Sequence, residues 1–150
     1  MKAFAHSDIS QLQLEIDSLS EKRKEAQDKV LQRGASMCSN VGWYKQLPTQ
    51  VEVNQAHVIE MELGALAASA KGNDEEAERL LREATTLEES TSFMFGPPTI
   101  AKPSHELYAD WLLSKGRAAD AQIQYEKALE RAPGRMLSER GLERSKTNKL

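Results

Sequence analysis

Residues 104–133 read SHELYADWLLSKGRAADAQIQYEKALERAP. Gly116 splits this stretch into two apolar-periodic runs, each long enough for a short helix. The stretch at 60–89, EMELGALAASAKGNDEEAERLLREATTLEE, carries the same arrangement. Gly72, Ala77, Leu81 and Ala84 recur 44 residues later as Gly116, Ala121, Tyr125 and Ala128. Ala65 with Ala109, and Ala68 with Leu112, share that offset of 44. Small and large residues thus return to the same places on two consecutive helical hairpins, the signature of a repeat. Glycine at the corner suits a left-handed helix end. Alanine early in the second helix permits close approach to the first. The large residue four positions on fills the space between hairpins, and the alanine after it lets the next hairpin pack.

Outward from this pair the helical signal continues. Towards the N-terminus, Ile9, Leu12, Ile16, Leu19, Ala26 and Val30 fall on one helical stripe that Arg23 interrupts. Ser7 or Asp8 can cap that helix and Gly34 can end it. From Gly34 to Gln50 the period is lost among Gly42, Pro48 and small polar residues, which predicts a loop. A second helix is expected from Val53 to Lys71, and Asn73 with Glu76 stands in capping-box position for a third. Residues 90–103 hold three prolines and Gly96, so they cannot be helical throughout. Ser104 is the expected cap of a fourth helix. A fifth spans Ala118 to Arg131 and a short basic sixth spans Arg135 to Thr147. No stretch of β alternation competes, so the chain is expected to be all-α with about six helices.

The residues Tyr108-Ala109, Leu112, Gly116, Ala121, Tyr125, Ala128 and Pro133 resemble the signature positions of the tetratricopeptide repeat family. The upstream unit matches through Gly64-Ala65, Ala68, Gly72, Ala77, Leu81 and Ala84, but has Glu89 in the place of the proline. That departure suggests a second helix running on into the 90–103 segment. A weaker echo at Ser7, Leu12, Ile16 and Leu19 suggests the second helix of a partial unit. The resemblance implies a right-handed α-solenoid of antiparallel helical hairpins in a single domain. Residues 1–33 would be a partial repeat or capping helix, 53–89 and 104–134 repeats, 90–103 an insert, and 135–150 a basic capping helix and tail. The run Phe95-Gly96-Pro97-Pro98 with Lys102-Pro103-Ser104 is similar to an insert in uncharacterised bacterial-type members of the family. The family's first helices line a concave groove, which here would present Ile59, Glu62, Leu66, Ser69, Glu106, Asp110 and Leu113. The basic carboxylate clamp of the chaperone-binding members is absent, so an apolar or basic peptide is the expected ligand. Phe93 and Phe95 would fold over it. The resemblance therefore implies a scaffold that binds a protein or peptide, needs no cofactor and performs no catalysis.

Composition narrows the alternatives. The 150 residues are 39% hydrophobic and 29% charged, with a net charge of −3. No apolar run approaches a membrane span, no secretory h-region opens the chain, and the cytoplasm is the expected compartment. One cysteine, Cys38, excludes an intrachain disulfide framework. No Walker A, GxGxxG, HExxH, CxxC or GxSxG pattern occurs. His57 with Glu60, and His105 with Glu106, could make a metal- or ligand-binding module. Scattered histidines lack dedicated ligand spacing, and solvent-facing polar residues are the plainer expectation. Met61, Met94 and Met136 read as core filling, and Trp43-Tyr44 as a loop packed on the body. Residues 73–89 are net −5 and residues 131–150 net +4. That basic end could meet nucleic acid, but it lacks interleaved aromatics, so a polar capping helix is favoured. The apolar stripe of residues 1–33, at the edge of the array, is expected to support self-association or packing on a missing N-terminal segment.

Overall fold

The structure, a computed structural model, describes residues 6–35, 47–92 and 99–147. Among these residues there are six α-helices and no strand. They are α1 (His6–Ala35), α2 (Gln50–Ala70), α3 (Asp74–Ser90), α4 (Ser104–Ser114), α5 (Ala118–Arg131) and α6 (Met136–Thr147). Cys38, Trp43, Tyr44, Phe93, Met94 and Phe95, singled out from the sequence, lie outside the described residues.

Helix ends follow local chemistry. α2 begins three residues before the expected Val53, because Thr49 and Glu52 form a reciprocal capping box. The Glu52 backbone N–H donates to Thr49 Oγ1, and Glu52 Oε2 accepts from the Thr49 backbone N–H at 2.7 Å. Asn73 caps α3 by accepting from the Glu76 backbone N–H, but the Glu76 carboxylate turns to Arg79 and leaves that box half made. α2 and α4 end in the same double-bonded turn. Gly72 N–H donates to Ser69 O and Asn73 N–H to Ala68 O. Gly116 N–H donates to Leu113 O and Arg117 N–H to Leu112 O. Both glycines sit at positive φ, 79° and 75°, which a side chain would disfavour.

Two expectations are corrected here. α3 does not run on into the 90–103 segment: it stops at Ser90, where Thr91 turns extended and its hydroxyl donates to Leu87 O. Ser104 is not the cap of α4. Pro103 holds the cap position, and Ser104 turns its hydroxyl elsewhere while its backbone N–H donates to Glu88 Oε2 at 2.7 Å. A carboxylate from α3 thus satisfies one orphan donor at the start of α4.

Neighbouring helices pack in sequence, and cross-links fix their directions. Gln27–Gln50, Arg23–Glu60 and Gln13–Lys71 run in opposite order along α1 and α2, so this pair is antiparallel. α2 folds back against α3, α4 against α5, and α6 lies on α5 and α4. The main core joins Ala65, Ala68, Ala77, Leu81, Tyr108, Ala109, Trp111, Leu112, Ala121 and Tyr125. A second cluster holds Val58, Met61 and Ala84. Every one of the alanine and large-residue positions that recur at 44 is buried.

Between the hairpins, Glu78 of α3 accepts from Tyr108 Oη, Arg117 and Arg82. Desolvation pushes its carboxyl up, but those donors outweigh it and hold Glu78 at about 2. Arg23, which breaks the apolar stripe of α1, pairs with Glu60 of α2. The interruption is therefore a cross-helix ion pair on the packed face. Met136 is corrected as well: it is 57% exposed and fills no core.

Candidate functional site

α2, α4 and α6 lie side by side in one direction. Ser104 Oγ of α4 donates to Glu62 Oε1 of α2 at 2.8 Å, and Trp111 Nε1 of α4 donates to Ser69 Oγ of α2 at 3.0 Å. Both links advance together along the two helices, which makes the pair parallel. Likewise Ser138 Oγ of α6 donates to Glu106 Oε2 at 2.6 Å, and Arg144 reaches Asp110 Oδ1 at 3.3 Å. Glu62 and Glu106 are themselves 44 residues apart. One joint is therefore built twice: a buried glutamate on each helix takes a serine hydroxyl from the next.

The joints differ in their electrostatics. Glu106, 2% exposed, receives the Arg135 guanidinium through Nε at 2.6 Å and Nη2 at 3.2 Å. Burial pushes Glu106 up, but Arg135 and Ser138 win and its pKa is lowered. Glu62, 8% exposed, meets Ser104 without a paired cation. Burial dominates there and pushes Glu62 up to about 7, with Ser104 opposing and the nearby Glu88 carboxylate adding to the rise.

These contacts decide what the face can offer. Of the expected groove residues, Glu62 and Glu106 are buried, and the expectation of free acids is corrected. Asp110 accepts from Lys102, Tyr125 Oη and Arg144. Ser69 is taken by Trp111. What remains is apolar: Leu66 is 44% exposed, with Ile59 and Leu113 half-buried. The expected groove acids Glu62, Glu106 and Asp110 thus already have hydrogen-bond partners within the chain.

The second set of residues is not brought together. Glu60 is held by Arg23, and His57, lowered by burial and then by Arg23, shares that side of α2. His105 is buried between α3 and α5, with Nδ1 on Gln124 Oε1 at 2.7 Å and Nε2 on Glu89 Oε1 at 2.8 Å. His105 and Glu106 are thus corrected from solvent-facing to buried. Among the described residues no group of three or more histidine, cysteine, aspartate or glutamate side chains could hold a metal ion. No described helix is long and apolar enough to cross a membrane.

The stripe of α1 expected at an open edge is instead turned onto α2, the one described helix it packs against. Ile16 is buried and Leu12, Leu19, Ala26 and Val30 are half-buried. The exposed leucines of α1, Leu14 and Leu31, are 63% and 64% exposed and fall on different sides of the helix.

Ser138, Gly141 and Arg144 were not singled out from the sequence, where Arg135 entered only as the start of the sixth helix and Lys102 only as part of the insert run. Ser138, Gly141 and Ser145 repeat at helical spacing and form the buried side of α6. That stripe of small residues was the available signal. Compared with protein-family models, curated proteins and solved structures, the chain matches none.

Proposed function

We propose that the chain is a tetratricopeptide-type stack of helical hairpins and works as a non-catalytic protein-interaction module. One observation carries this reading: a single built unit recurs. Each unit has a glycine turn, an alanine–large–alanine second helix, and a buried glutamate joined to a serine of the next first helix. In such a stack the first helices line a concave groove and the hairpins wind right-handed. α2, α4 and α6 take the place of first helices, and α1 that of a second helix in a partial unit.

The groove reading supports an apolar segment as ligand, either a helix or an extended strand. Leu66 is its accessible anchor, and Ile59 and Leu113 are half-buried members of the same expected groove set. The test is titration of the intact protein with a panel of apolar helical and extended peptides. At least one should bind, and Leu66→Lys should weaken it about tenfold, the worth of burying one leucine, with the melting temperature unchanged. Absence of binding below millimolar peptide, or equal binding by the variant, rejects the groove.

A further inference from the structure

We infer that the joint between α2 and α4 is a proton-operated latch: protonated Glu62 holds the two hairpins together, and its ionisation lets them part. Two carboxylates converge on one residue. Glu62 Oε1 accepts the Ser104 hydroxyl at 2.8 Å and Glu88 Oε2 accepts the Ser104 backbone N–H at 2.7 Å. Ser104 is fully buried and Glu62 nearly so. An ionised Glu62 would stand in a desolvated place beside a second carboxylate, which is costly unless a cation answers it. The equivalent glutamate in the α4/α6 joint has that answer in Arg135. Here Lys102, the cation that acts on Glu62, is paired with Asp110.

The charged groups facing Glu62 come from two directions. α3 contributes Glu88, and the segment before α4 contributes Lys102. α1, packed on α2, commits its Arg23 to Glu60. Burial raises Glu62 to about 7 from 4.5, Ser104 lowering it, Glu88 raising it and Lys102 lowering it. The docked state therefore binds more protons than the parted state between pH 4.5 and about 7. Docking is at full strength below that window and weakens as pH rises through it. A hydroxyl can donate to the carboxylate or accept from the acid, so Ser104 serves both forms.

Trp111, bonded to Ser69 across the same two helices, is a built-in reporter. With Trp43→Phe as background, Trp111 is the single tryptophan of the chain. Its emission is followed from about pH 5.5 to about pH 8.5, together with hydrogen exchange at the Ser104 amide corrected for the intrinsic rate. The expected result is a red shift and a loss of protection of roughly tenfold or more as pH rises. Glu62→Gln should abolish both responses, and Glu88→Gln should move the midpoint to lower pH. A parent protein whose Trp111 emission and Ser104 protection do not change over this range overturns the latch. So does a Glu62→Gln protein that keeps the parent response, or a Glu88→Gln midpoint that stays in place.

Discussion

At position 141 the difference between a hydrogen and a methyl governs how α6 meets α5. A Cβ built on Gly141 would overlap the Tyr125 ring at its Cε1 and Cζ atoms. Tyr125 is fully buried and its hydroxyl is tied to Asp110, so the ring has nowhere to go. Helix propensity favours alanine over glycine by about 1 kcal/mol. Overpacking costs more, about 1–3 kcal/mol or above. Gly141→Ala should therefore lower the stability measured by urea unfolding, although the change improves intrinsic helicity; a stabilised variant would contradict this packing. At this scale the sequence was legible for the recurring apolar residues, though not for the exposed Met136, and misleading for polar ones. Ala77, Leu81, Ala121 and Tyr125 are buried as their spacing requires. Glu62, His105 and Glu106 are buried too, against their residue types, because partners from other helices satisfy them. Those partners are distant in sequence, so no local pattern announces them. The phase does: Glu62 lies four residues after Val58 and three before Ala65, on the buried side of α2.

At the scale of the element, helix ends were more legible when they rest on backbone conformation than when they rest on side-chain exchange. The glycine ends of α2 and α4 fall where the sequence places them, since positive φ leaves little choice of residue. Gly116→Ala should cost about 1–2 kcal/mol by forcing a Cβ into that left-handed turn. Nothing lies within 4 Å of the added methyl, so the loss would be conformational and unrelieved by trimming neighbours. Thermal unfolding of Gly116→Ala beside Gly116→Asn checks this, because asparagine tolerates the turn better and should lose less. The start of α4 was misread for the opposite reason. Ser104 has the right chemistry for a cap, but Glu62 captures its hydroxyl and Glu88 takes over the orphan N–H. The start of α2 was read three residues late, because the Thr49–Glu52 box lies just upstream of the apolar period.

At the scale of the whole molecule, the recurrence at 44 residues made the order of helices legible, and the polar joints did not show in it. Ala84 and Ala128 are fully buried. Ala84→Trp or Ala128→Trp should destabilise the molecule by about 1–3 kcal/mol or more, measured by thermal unfolding, and neutrality of both would reject the stacking. The joint at Glu106 has a further consequence, for modularity. In an array of independent units, stability is a sum of unit and neighbour terms, and units can be exchanged freely. Here a charge buried in one hairpin is neutralised by Arg135, which belongs to the segment that follows it. Excising residues from Arg135 onward would remove more than a helix's worth of contact, because it strands an anion. α4, α5 and α6 should therefore unfold as one block. Grafting or deleting by whole hairpins would cut through the middle of that block.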